Sequence, residues 1–380
     1  MKLETYQYTA EKGWDRQLDK ALDSSQTLLL FFASPDNELV QAQLKSLAKV
    51  FPQSILFGCS SSGEIYHDDI YDNSIALSII RFEDTRLKLT CEQITKDNDS
   101  CTAGLKVARS LNEVSLRSIF ILSDGLAVNG TKLITGLLSE LPTEVIVTGG
   151  LAGDGDRFEK TWVWSNDGMQ QDYVCAVGFY GDKFGIGHGS RGGWDILGPK
   201  REVTRSEDNV LYELDNQPAL ALYKKYLGER ADDLPASGLL FPLAIINEDS
   251  NVEDVVRTIL AVDEDTNSIT FAGDIPQNNY VRLMRANFDR LIDGAAEAAN
   301  EIALNNYSAG PLLSVAISCV GRRLVLGARS VEEIEAVRNS IPAEAKQIGF
   351  YSYGEISPLA NGRCDLHNQT MTLTHIWENN

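Results

Sequence analysis

The sequence lacks any pair of cysteines close enough in the chain to frame a metal site. Its six cysteines, Cys59, Cys91, Cys101, Cys175, Cys319 and Cys364, are scattered with no C-x-x-C spacing. That argues against a structural zinc and against a disulfide framework, and it fits a reducing cytoplasm. Six buried thiols are therefore expected. Long apolar runs are missing too. The longest, "TLLLFFA" at residues 27 to 33, falls far short of the ~20 residues a membrane span needs. The opening "MKLETYQYTAEKGWD" has no apolar segment of a secretory signal. Positive charge is scarce, with 34 Lys and Arg against 54 Asp and Glu and a net charge of −20. Such a surface repels phosphate backbones and anionic lipid, which excludes non-specific nucleic-acid and membrane partners. A cytoplasmic protein is expected.

What is present is a repeated unit of strand, helix, strand and glycine-rich loop. The first copy runs from "TLLLFFA" through a helix to "SILFGC", with Ser34 as the expected N-cap, Pro35 at the first helical position and the helix ending near Val50. The second runs from "SIFILS" through "TKLITGLLSEL" to "EVIVTGG". The third runs from "LLSVAISC" through a helix opened by Ser330, with Glu333 completing a capping box, to "KQIGFYS". Between them lie alternating segments that read as antiparallel strands. The expected class is α/β (α+β), with mixed sheets covered by helices and two similar halves built from repeated strand-helix-strand units with added hairpins. A break is placed between domains 1–215 and 216–380. Residues 278 to 306 read as one long amphipathic helix, a candidate for covering a sheet or for pairing two subunits in a homodimer.

The strand-end loops carry the candidate chemistry. "GCSSSGEI" at 58 to 65 and "GFYSYGEI" at 349 to 356 share Gly58, Ser61, Gly63, Glu64 and Ile65 with Gly349, Ser352, Gly354, Glu355 and Ile356 at identical spacing. Three uses compete. A nucleophile elbow needs G-x-S-x-G, and "GCSSSG" has serine where the second glycine belongs. Cys59 as nucleophile would need a base, and its counterpart in the twin loop is Phe350. A ligand cradle fits the shared residues, with backbone N–H groups, the hydroxyls of Ser60, Ser61, Ser62 and Ser352, and the carboxylates of Glu64 and Glu355. The bland alternative is a tight turn in which each glutamate caps nearby backbone. "GGLAGDGD" at 149 to 156 is a third strand-end loop, but it lacks calcium-loop spacing. "GIGHGSRGGW" at 185 to 194 breaks the dinucleotide-binding pattern. His188 within it is a candidate iron ligand, or a surface residue of a glycine-rich loop.

Taken in order, "GCSSSGEI", "GGLAGDGDRF…TWVW", "VTRSEDNVLYELDNQPALALYKKYLG" and "GFYSYGEISPL…LHNQTMTLT" resemble the FIST family of sensory domains, N-terminal and C-terminal portions in tandem. The resemblance implies an input module that binds a small molecule and signals to a separate effector, such as a histidine kinase or a cyclic-di-GMP enzyme. It also implies, for one branch, haem that senses nitric oxide, and for others amino acids or related metabolites. The family motif falls on Gly58, Ser61, Gly63, Glu64, Gly150, Gly153, Asp154, Tyr353, Gly354, Glu355, His367 and Asn368. No catalytic set transfers, so a non-enzymatic protein is expected. After His188, the candidates for a haem bond are His67, His367 and His375, in that order.

Overall fold

The computed structural model describes residues 1–36, 38–246, 254–305, 307, 309–359 and 361–379. The three repeated units become three mixed sheets of one design. Each has a central parallel pair: Thr27–Ala33 with Ile55–Ser60, Leu116–Ser123 with Ile146–Leu151, and Leu313–Cys319 with Lys346–Ser352. These strands are nearly continuous apolar runs because both faces are covered. The first member of each pair takes an antiparallel return strand, Ser74–Arg81, Tyr173–Tyr180 or Met371–Glu378. The second takes a hairpin from a different unit.

This exchange is cyclic. Glu64–Tyr66 and Asp69–Tyr71, which follow the first loop, complete the third sheet. Val163–Ser165 and Gly168–Gln170 complete the first, and Gly354–Pro358 with Cys364–His367 complete the second. The three sheets are thus related by a pseudo-threefold axis. Their inner faces meet in one core that includes Leu30, Phe57, Phe120, Val177, Val315 and Phe350. Phe32 stacks on Phe350 at 4.4 Å, and Phe57 meets Phe120 edge-on at 6.3 Å. Each such contact contributes about 0.5–1.5 kcal/mol beyond burial. Helices cover the outer faces: Glu38–Val50 on the first sheet, Ser100–Leu111 and Gly130–Leu138 on the second, Phe288–Asn300 and Ser330–Ser340 on the third.

A fourth, wholly antiparallel sheet is inserted between the strand Phe184–Arg191 and the helix Phe288–Asn300. It has its own core around Val203, Leu211, Ile269 and Phe271. The chain turns at Asp215 and Asn216 (φ 50° and 59°) into the helix Ala219–Leu227, which Gly228 closes.

Several local expectations are corrected. Residues 280 to 285 are a strand, Tyr280–Arg285, so the long helix shrinks to Phe288–Asn300, with the Asn287 side chain capping the Arg290 amide; Asn306 lies outside the described residues. Its small apolar residues, Ala295, Ala298 and Ala299, are spent on the third sheet, and Leu291 packs in the cluster of Trp194, Val256 and Met284. The first helix starts at Glu38, and Ser34 instead donates its amide to the Ser74 carbonyl. Ser330 does not cap. Its hydroxyl donates to the Gly327 carbonyl, and Glu333 turns inward to Arg322. An unexpected helix, Val320–Leu326, precedes it. "GIGHGS" is not a loop but part of the strand Phe184–Arg191. Its alternate glycines, Gly187 and Gly189, let Ile302 and the Ala298 carbonyl sit directly on the strand, where a Cβ would collide. Finally, Cys91 and Cys175, opposite each other on paired strands, form a disulfide, while Cys59, Cys319 and Cys364 are buried thiols.

Candidate functional site

The three parallel pairs end in loops that meet at the pseudo-threefold axis. Gly58, Gly149 and Gly349 occupy one equivalent position, and a Cβ on any of them would strike the carbonyl oxygen of Phe31, Ile121 or Ala316 on the neighbouring strand. Four residues later the loops link hand to hand. The Ser62 amide donates to the Tyr351 carbonyl (2.8 Å), the Tyr353 amide to the Leu151 carbonyl (3.2 Å), and the Gly153 amide to the Ser60 carbonyl (3.1 Å). The circuit closes with buried polar groups satisfied.

Glu64 and Glu355 sit at equivalent points and are fully buried. Glu355 accepts from its own loop's Ser352 hydroxyl (2.6 Å) and from the amide and hydroxyl of Thr370 (3.3 and 3.0 Å). Glu64 does the same with the Ser61 hydroxyl and with the amide and hydroxyl of Ser74 (3.1 and 2.8 Å). Each carboxyl therefore ties a loop to the start of its return strand. Burial raises both to about 8, so at neutral pH they are mostly protonated. In the middle copy Gly155 stands at the glutamate position, and Asp124 takes over, accepting from the Asp172 amide at 3.3 Å.

The other loop residues also bond inward. Ser60 Oγ accepts from the Trp162 amide (3.1 Å), and Ser62 Oγ from the Gly155 amide (2.9 Å). Asp154 accepts from the amides of Phe158, Glu159 and Lys160 and from the Tyr353 hydroxyl. Those bonds and nearby Arg157 hold its carboxyl low against the opposing effect of burial. Gly150 pairs with Glu355, and Gly354 with Leu151, across two strands. Gly63 packs against the Arg323 guanidinium.

An open site lies beside the third loop, where the chain turns through "LHNQT" between Cys364–His367 and Met371–Glu378. His367 Nε2 contacts the Ser357 carbonyl (2.9 Å), and burial pushes its pKa down. Asn368 is 1% exposed, yet neither its amide nitrogen nor its amide oxygen has a partner among the described residues. Both residues, with Thr370, line a cleft of about 200 Å³ whose walls also include Trp194, Arg290 and Glu297 and, from the inserted sheet, Ala244, Val256 and Met284. A buried unpaired amide costs about 1–3 kcal/mol. The neighbouring Gln369 amide and the His375 ring are unpaired among the described residues as well.

The cleft is held by one buried cation. Arg322 pairs with Glu333 at 2.6 Å, with neither side chain exposed. Its other nitrogens donate to the carbonyls of Gly192, Leu291 and Gln369, one from each surrounding wall. Trp194 Nε1 donates to the same Gln369 carbonyl (2.8 Å). Arg322, Trp194 and Thr370 were not singled out from the sequence, although "LHNQT" and "RGGW" already stood out, and Glu333 was read there only as a capping residue.

A model of the FIST N domain matches residues 27–217, and one of the FIST C domain matches residues 219–358. The chain belongs to the FIST family. FIST domains bind small ligands, and membership is consistent with a sensory role in signal transduction. The chain is also similar to an uncharacterized protein, MJ1623, of Methanocaldococcus jannaschii, at 22% identity over 87% of this chain and 69% of that one. Among the described residues of this FIST protein no helix is long and apolar enough to cross a membrane.

The haem of one FIST branch asks for a histidine beside an apolar slot. His188 lies on a strand facing a second cleft of about 390 Å³, which it shares with Ser190, Arg191, Glu301, Pro358 and Leu359. Burial and the nearby His367 push its pKa down, which suits a ligand. The surroundings do not. Among the described lining residues only Pro358 and Leu359 offer apolar surface beyond glycine, so the cleft does not fit the macrocycle.

Proposed function

We propose that this FIST protein is a sensory input module that binds a small polar molecule between the "LHNQT" turn and the inserted sheet, and regulates a separate effector. The carrying observation is Asn368, whose buried side-chain amide has a donor and an acceptor without a partner among the described residues. A ligand that engages Asn368 also touches Thr370, which is bonded to Glu355, and so reaches the ring of loops that joins all three sheets. Cleft and loops thus form one continuous bonded path, a route by which occupancy alters the packing of the inserted sheet against the rest. A histidine kinase or a cyclic-di-GMP enzyme is the effector class that the sequence resemblance supplies.

This reading is of binding without catalysis. Cys59 lies in the central core, where burial pushes its thiol well up, and the hydroxyls of Ser60 to Ser62 are occupied by backbone or by Glu64. The site is placed in the neighbouring cleft because the Glu64 and Glu355 carboxyls already accept from protein donors. Thermal-shift screening of small polar metabolites tests the proposal. A hit whose stabilisation vanishes in Asn368→Ala, with the unliganded melting temperature held, supports it. Hits that stabilise the variant equally well refute it.

A further inference from the structure

On the opposite face of the same inserted hairpin lies a larger cleft. The strands Leu243–Ile245 and Val255–Arg257 are paired. Ala244 and Val256 face the Asn368 cleft, while their neighbours Ile245, Val255 and Arg257 face a cavity of about 790 Å³ closed on the far side by Leu359, Arg363 and Asp365. The volume is in the range of organic ligands and cofactors.

Arg257 decides its chemistry. The side chain is 3% exposed. Its Nε donates to the Asp274 carbonyl (3.2 Å), and Nη1 to the Leu366 carbonyl (2.9 Å). Nη2 has no hydrogen-bond acceptor among the described residues; the nearest carboxylate, Asp365, is 3.9 Å away. Burial of this cation pushes its pKa down, the cost expected of an incompletely paired guanidinium. A second cation, Arg363, lines the same cavity with no ion-pair partner for its guanidinium among the described residues. The aspartates nearby are already engaged. Asp208 pairs with Lys132 (3.0 Å), Asp274 accepts from Asn129 Nδ2 (3.0 Å), and Asp365 accepts from the Leu366 amide (2.7 Å). The cavity lining is mixed, with polar side chains such as Ser206, Gln277, Asn279 and Asn361 beside the apolar Ile245, Val255, Ile275, Pro276 and Leu359.

We infer that this cavity is a second ligand site, for an amphipathic organic anion. Its carboxylate, phosphate or sulfonate meets Arg257 Nη2 and Arg363, and its apolar body covers the isoleucines and Leu359. The anion completes the Arg257 fork, which matches such groups bidentately. The two clefts share the hairpin and Leu359 but have different polar anchors, Arg257 and Arg363 here and Asn368 there, so either can fail alone.

The test uses anilinonaphthalene sulfonate, a fluorescent amphipathic anion, with neutral phenyl-naphthylamine as the control that keeps the rings and loses the charge. The folded protein is expected to bind one sulfonate dye saturably. Arg363→Ala should weaken that binding about tenfold, as for losing one charge-assisted contact, and Asn279→Trp, on the exposed wall, should block it. Asn368→Ala should leave it unchanged, and the neutral dye should bind at least about tenfold more weakly. No saturable binding, equal affinity for both dyes, or full affinity in Arg363→Ala and Asn279→Trp would overturn the inference.

Discussion

The Ser62 amide donates to the Tyr351 carbonyl at 2.8 Å, although 289 positions separate the two residues (351 − 62). This bond is one third of the circuit that locks the three loops together. Positions that permit the strands to approach at its base have little freedom. Gly349→Ala would push a methyl group into the Ala316 carbonyl, a clash of backbone on backbone that no rotamer relieves. A loss of about 1–3 kcal/mol or more is expected, read as a drop in the urea midpoint with an unchanged slope. A variant as stable as the parent would show that the strands are less tightly fixed than described.

Stability should fall as pH rises from acid to mild alkali, and Glu64 and Glu355 are the cause. Their carboxyls are raised from 4.5 to about 8 by burial, so the folded state holds protons that the unfolded state releases. Their contribution is full below about pH 4.5 and is lost as pH climbs through 8. His375 works on the other side. Burial depresses it to about 4, so its contribution is present above about 6.5 and lost as pH falls toward 4. Urea unfolding at pH 5, 7 and 9 separates them. The double variant Glu64→Gln, Glu355→Gln should flatten only the alkaline limb, and a parent-like profile in that variant would contradict the assignment.

Arg322→Ala should be among the most damaging single changes. It leaves Glu333 buried without its cation and takes a donor from three wall carbonyls, of which that of Gln369 keeps Trp194. The expected cost is about 3–5 kcal/mol. Restoring neutrality with Arg322→Met, Glu333→Met should recover part of it. Failure of the double change to recover anything would mean that the carbonyl contacts, not the charge pair, dominate.

The Cys91–Cys175 bond has a direct chemical check. Thiol titration of the unreduced, denatured chain should find Cys59, Cys101, Cys319 and Cys364 only. Reduction should add two more and lower stability by up to about 4 kcal/mol, given the 84-residue separation. Six reactive thiols before reduction would remove the bond.

Much of this was visible in the residues. The three strand-helix-strand units follow from apolar runs and helical spacing, and the twin loops announce an equivalence that the structure confirms at Ser61 and Ser352, each bonded to its glutamate. The hidden part is non-local. Nothing in "EIY" or "VWS" shows that each strand completes another unit's sheet, since a short apolar strand carries no record of its partner. The alternate glycines of residues 185 to 189 looked like a loop because glycine is ambiguous. Here it marks close helix approach, a property of Ala298 and Ile302 on a distant element. Ser74 and Thr370 were unremarkable strand starts until the buried glutamates gave them a purpose. Asn368 was named by resemblance alone, and only burial without a partner gives it a physical role.

The central claim is that Asn368 receives a small polar ligand. Titration calorimetry of a screened hit against the parent chain and against Asn368→Ala measures this most directly. The account predicts at least about tenfold weaker binding in the variant, from loss of paired contacts in a buried cleft, with its melting temperature unchanged or raised. Equal affinity in the two proteins would contradict it.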